Sequence, residues 1–223
     1  MATSRAENLL VHADAVTRYW AFQDVTFADG STVVVQGNHA HRLDESLTPT
    51  ASVTLPVEAP YNSFVVLADG SVATKDLQFP DAAPSSLSIL DPVTLHHRCA
   101  PLPLPEPSVA RISADGNEIV VVGVTSLHRI AWDPTAAALA PVAEPVRYLV
   151  HAGQSYGWDP VIAGGAIWWL DNGDHTFPNG MTMLGNGAAP GPVRLWRLQD
   201  GELASVEICG AAGGAVTNPP LID

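Results

Sequence analysis

Phe64-Val65-Val66-Leu67-Ala68-Asp69-Gly70-Ser71-Val72-Ala73-Thr74 decides the architecture. Two β-rich runs flank Asp-Gly, a pair that predicts a tight hairpin because glycine accepts the positive φ of the turn. The signal recurs upstream, where Val25-Thr26-Phe27 leads through Ala28-Asp29-Gly30 into Thr32-Val33-Val34-Val35. It recurs downstream, where Val109-Ala110-Arg111-Ile112 precedes Ala114-Asp115-Gly116 and Ile119-Val120-Val121-Val122 follows. A degenerate fourth copy runs from Pro160-Val161-Ile162-Ala163 through Gly164-Gly165 into Ala166-Ile167-Trp168-Trp169-Leu170. Asp29 to Asp69 is 40 residues, Asp69 to Asp115 is 46, and Asp115 to Gly165 is 50.

The later units carry a second half. Ser86-Leu87-Ser88-Ile89-Leu90 enters Asp91-Pro92-Val93-Thr94. Leu127-His128-Arg129-Ile130-Ala131-Trp132 enters Asp133-Pro134-Thr135, and Val193-Arg194-Leu195-Trp196-Arg197-Leu198 enters Gln199-Asp200-Gly201. Four short strands in each unit of about 40–50 residues describe the blade of a β-propeller. A sandwich with several hairpins is the alternative, but two linked signals at near-constant spacing favour blades. The expected fold is therefore all-β, a single propeller domain over 1–223. Its blade-like units are 21–56, 60–100, 106–144 and 157–209, and 216–223 starts a further blade. The ring is either four-bladed or an incomplete six-bladed one. An incomplete ring would expose sheet faces and favour self-association.

Composition agrees. Hydrophobic residues are 47% and charged residues 15%, which builds a core and excludes intrinsic disorder. Eighteen glycines and 19 prolines leave little room for long helices. The formal net charge is −13 and Lys75 is the sole lysine, so nucleic acid is excluded as an expected partner. The first sixteen residues include Arg5, Glu7 and Asp14 and lack a signal-peptide apolar run. The longest apolar stretch, Val161 to Leu170, is 10 residues, against about 20 for a membrane span. The expectation is a cytoplasmic protein with no membrane partner. Cys99 and Cys209 read as free thiols.

Chemistry is sought where successive first strands converge. The residues before each inner hairpin are Gln23 or Asp24, Asn62, Ser108 and Asp159. Oxygen-bearing side chains at matched positions suit a hard cation such as Ca²⁺, which takes 6–8 oxygen ligands. Strand-starting residues that bond their own backbone would look the same. The densest polar cluster runs from His151 to His175 and includes Asp159, Asp171, Asp174 and His175. Asp171 or His175 is the candidate base that activates water.

Ala59-Pro60-Tyr61-Asn62-Ser63-Phe64-Val65-Val66-Leu67-Ala68-Asp69-Gly70-Ser71 resembles a unit of the regucalcin/gluconolactonase/lactonase group of six-bladed propellers. The resemblance is strongest over about forty residues. It implies a divalent cation, often Ca²⁺, at the channel mouth and hydrolysis of lactones or esters there. Asn62 is similar to that group's asparagine ligand, and Asp159 matches an aspartate. The group's glutamate near the start of its first blade has no clear counterpart, and Gln23 and Asp24 stand there instead.

Other motifs carry less. Gly153-Gln154-Ser155-Tyr156-Gly157 fits the nucleophile elbow of α/β-hydrolases, but Pro160 and Gly164-Gly165 follow where that fold needs a helix. His39 and His41 share a strand face without a third ligand in view. Lys75-Asp76 reads as a plain surface or structural ion pair. Two functions follow. One is a metal-dependent hydrolase of a lactone or ester, with the ion on Asn62, Asp159, Asp24 and Ser108. The other is a non-catalytic platform for a small molecule or a partner protein.

Overall fold

The computed structural model describes residues 24–78, 82–148, 160–171 and 193–209. Every regular element among them is a strand. The first sheet is β1 (Asp24–Thr26), β2 (Thr32–Gln36), β3 (His39–Leu43) and β4 (Pro49–Thr54). The second is β5 (Tyr61–Val66), β6 (Val72–Asp76), β7 (Ser86–Leu90) and β8 (Leu102–Pro103). The third is β9 (Ile112–Asp115), β10 (Glu118–Val122), β11 (Ser126–Asp133) and β12 (Ala138–Pro141), with β13 (Val146–Arg147) added at the far end of β11. The fourth is β14 (Val161–Ala163), β15 (Ala166–Asp171), β16 (Val193–Gln199) and β17 (Glu202–Cys209). Each sheet is an antiparallel meander in sequence order.

Local chemistry explains the repeat. In the first two sheets the opening turn closes with the same pair of bonds. Gly30 N–H donates to Phe27 O and Phe27 N–H to Ser31 O, at 2.9 and 2.8 Å. Gly70 and Leu67 make the equivalent bonds to Leu67 and Ser71, both at 2.9 Å. Gly30, Gly70 and Gly116 have φ of 78°, 83° and 60°, the region a Cβ disfavours. Asp29 and Asp69 each accept the backbone N–H of the serine two residues on. A guanidinium ties each turn down, Arg42 on Asp29 at 2.9 Å and Arg98 on Asp69 at 2.6 Å.

The third-to-fourth-strand turns form a second series. Asp44, Asp91 and Asp133 each accept two backbone N–H groups of the residues that follow. Each such turn also holds one non-glycine residue at positive φ: Leu47, Leu95, Ala137 and Asp200, between 50° and 61°. Short aspartates that capture local N–H groups are what this geometry requires.

Two compact units divide the sheets, the first two in one and the last two in the other. The first unit packs Val33, Val35, Leu55, Tyr61, Phe64 and Leu90 together. The second packs Val120, Val122, Leu127, Tyr148, Ile167 and Trp169, with Trp196 against them. Trp169 and Trp196 stack at 6.3 Å, and Tyr148 meets both edge-on at 5.5 and 5.7 Å. Large flat side chains thus fill the space between neighbouring sheets.

Candidate functional site

The residues proposed from sequence fall in both units. In the first unit, Asp24 opens β1 and Asn62 is the second residue of β5, and these two first strands are neighbours. The side chains of both lie outside the described ones. Asn62 has one marked backbone feature. Tyr61 pairs with Asp76 and Ser63 with Lys75, so Asn62 is the extra residue of a β-bulge. Bulges re-aim side chains and are enriched beside functional sites.

Opposite that bulge, all five residues of β6 are buried. Lys75 and Asp76 both have 0% exposure, so the surface reading of this pair is corrected. Lys75 Nζ donates to the Asp76 carbonyl at 2.8 Å, and Asp76 Oδ1 accepts the Ser86 N–H at 2.5 Å. Burial lowers the Lys75 pKa to about 7, against the pull of the Asp76 charge. Burial likewise raises the Tyr61 phenol well above its ordinary value, although its oxygen accepts the Val57 N–H. Buried groups with displaced pKa values mark a functional-site candidate. The chain's sole lysine, beside an acid at the end of a strand, was the available signal.

In the second unit, Ser108 is fully buried. Its hydroxyl donates to the Val122 carbonyl at 2.8 Å, and its N–H donates to Ser85 Oγ at 2.9 Å. Asp171 ends β15, is fully buried, and accepts the indole N–H of Trp196. Asp159 and His175, and the Gly153–Gly157 motif, lie outside the described residues.

Next to Ser108 stands a carboxylate that sequence reading passed over. Glu106 Oε2 accepts the Thr125 N–H at 2.8 Å and the Thr125 hydroxyl at 2.7 Å. Its Oε1 accepts the Ser126 N–H at 2.9 Å and bonds His128 Nε2 at 2.8 Å. Burial alone would raise this carboxyl, but the bonds from His128 and Thr125 outweigh it and hold the pKa below its usual value. With both oxygens occupied, Glu106 braces the turn between β10 and β11.

A divalent cation, which the resemblance implies, needs several oxygen donors turned to one point. Ser108 does not fit that role, because its hydroxyl is held on backbone. Among the described residues no group of three His, Cys, Asp or Glu side chains could hold a metal. His39 and His41 do not make one. They pair across the strand with Thr54 at 3.3 Å and Ser52 at 2.8 Å.

The second unit also contains a cleft of about 440 Å³ between its two sheets. Its floor continues the core through Val120, Ile167 and Leu198. Its rim carries Asp115 and Glu118 with Arg129 from one sheet and Asp200 from the other. Arg129 grips Glu118 with both ends of its fork, Nε to Oε1 at 2.5 Å and NH2 to Oε2 at 3.0 Å. This cleft had no sequence signal, since its walls belong to two different sheets and their nearest lining residues, Arg129 and Ile162, stand 33 residues apart in the chain.

No family profile matches the chain, and no curated protein is similar to it. Solved structures are. BamB from Moraxella catarrhalis is 13% identical with a TM-score of 0.56, over 87% of this chain and 53% of that one. The Pan2 WD40 domain of Neurospora crassa is 12% identical with a TM-score of 0.56, over 86% and 52%. The calcium-binding protein regucalcin from Agrobacterium tumefaciens is 14% identical with a TM-score of 0.51, over 84% and 60%. The fold is that of a β-propeller, as the repeat predicts. This chain spans about half the length of the first two.

Proposed function

We propose that this chain is a ligand-binding β-propeller module whose binding site is the cleft of the second unit. The cleft itself carries the reading. Its volume of about 440 Å³ lies within the roughly 300–1,000 Å³ of small-molecule sites. It joins an apolar floor of Val120, Ile167 and Leu198 to a strongly polar rim. The polar groups described elsewhere in this unit are engaged in structure: Ser108, expected as a metal ligand, on a carbonyl, Asp171, expected as a base, on an indole, and Glu106 on a turn. Titration with small aromatic probes, followed by backbone amide resonances, tests the proposal. Shifts at Gly165, Ala166 and Gly201 support it. If no probe of any charge moves those three at millimolar concentration, the reading is wrong.

Three observations favour a second reading, a divalent-cation-dependent hydrolase of a lactone or ester. Asn62 sits at a bulge, Asp24 heads the adjacent first strand, and a similar fold belongs to a calcium-binding protein. In this reading the neighbouring first strands of the first unit supply Asn62 and Asp24 to the cation. Ca²⁺ at a hundredfold excess over its dissociation constant would stabilise the chain by about 2.7 kcal/mol. A Ca²⁺-dependent rise in melting temperature that Asn62→Ala abolishes supports it, and an unchanged melting temperature excludes it.

A further inference from the structure

We infer that the cleft of the second unit selects an organic cation, a protonated or quaternary amine carried on an apolar body. The inference rests on the binding reading above and deepens it.

Charge placement is the argument. Four ionisable side chains stand on the rim, and two of them cancel. Glu118 binds Arg129 through Nε and NH2, so the two charges offset each other and the rim keeps a net negative charge from the other two carboxylates. Asp115 and Asp200 remain. Neither makes an ion pair among the described residues, and both are exposed. Asp115 stands at the β9–β10 turn and Asp200 at the β16–β17 turn, so they face the cleft from opposite sheets. A ligand resting on Val120, Ile167 and Leu198 therefore lies between two uncompensated carboxylates. Its apolar part gains from burial and its charge from both rims. The chain's net charge of −13 adds a field of the same sign that draws cations in.

Phenethylamine, 2-phenylethanol and phenylacetate share a ring and differ in charge, so they separate the floor from the rim. The expected order is the amine first, the alcohol about fivefold weaker, and phenylacetate undetectable. That factor corresponds to the upper end of an exposed ion pair, about 1 kcal/mol. Asp115→Asn and Asp200→Asn should each weaken the amine about two- to fivefold. Arg129→Gln should strengthen it by a similar factor, because Glu118 is released as a third carboxylate. The alcohol should be indifferent to all three changes. Salt raised from about 0.02 to 0.2 M should weaken only the amine.

Equal binding of all three probes, or loss of amine affinity in Arg129→Gln, overturns the selection of a cation and leaves the binding site intact. Binding of none overturns the site as well. A dimer in sedimentation that Arg129→Gln dissolves assigns the cleft to a second copy of the chain and overturns the inference.

Discussion

Replacing Gly123 by alanine tests the brace built on Glu106. A Cβ at Gly123 would stand 2.3 Å from Glu106 Oε1, 2.6 Å from its Cδ and 2.8 Å from its Cγ. Gly123 is not among the glycines at positive φ, so the backbone itself accepts alanine. The whole cost must therefore come from displacing the Glu106 carboxylate. That carboxylate receives two bonds from Thr125, one from Ser126 and one from His128. Hydrogen bonds to a charged group are worth about 1.5–3 kcal/mol each. The side chain is 13% exposed, so a displaced carboxylate recovers part of this from water. The expected loss is about 2–4 kcal/mol, a fall in melting temperature of roughly 5–15 °C for a domain of this size. A double-mutant cycle gives the decision. With Glu106→Ala already made, the three atoms nearest the new Cβ are gone, and Gly123→Ala should be neutral within about 0.5 kcal/mol. Urea unfolding of the four proteins measures the coupling. Equal costs in both backgrounds would refute the brace.

The same carboxylate predicts an acid limb. A pKa held below its unfolded value means stability that is complete above about 4.3 and lost as pH falls through the folded value. Glu106→Gln should flatten stability against pH below about 4, and an unchanged curve would sink the assignment. Lys75 predicts the opposite limb. Its folded pKa of about 7 lies below the unfolded value near 10.4, so the unfolded chain binds the proton more tightly between them. Stability should then rise from pH 7 to 10, by up to about 4–5 kcal/mol, and Lys75→Met should remove that slope. Chemical denaturation at both pH values in wild type and variant decides it, and a slope that survives in Lys75→Met means that another group carries it.

The hairpins were legible because their causes are local. Ala-Asp-Gly closes on its own backbone, and Asp91-Pro92 and Asp133-Pro134 do the same two turns later in their sheets. The matching turn of the first sheet was missed, because Asp44-Glu45-Ser46-Leu47-Thr48 contains neither glycine nor proline. Its aspartate makes the same bonds, but Leu47 takes the positive φ that glycine would have announced. The fourth strand of the second sheet, β8, falls at Leu102–Pro103, just past the unit read as 60–100, since a two-residue strand has no period to read. Burial of Lys75 and the shape of the cleft depend on which sheet lies across from which, and a single chain of letters does not encode that locally.

The matched-position argument for a metal site failed at Ser108 for a reason the repeat itself supplies. The sixth residue after each hairpin glycine ends the second strand: Gln36, Asp76, Val122 and Asp171. Where that residue is a buried acid, the third strand must bring it a donor, and Ser86 N–H or the Trp196 indole does so. Where it is Val122, only a carbonyl needs satisfying, and Ser108 supplies the hydroxyl. The turn that follows, at Gly123, then draws its anion from Glu106 in the preceding loop. Matched positions thus share backbone geometry while their side chains answer local demands for donors and acceptors. A spacing argument finds the position, and only the hydrogen-bond partners say whether the side chain there is free to hold a ligand.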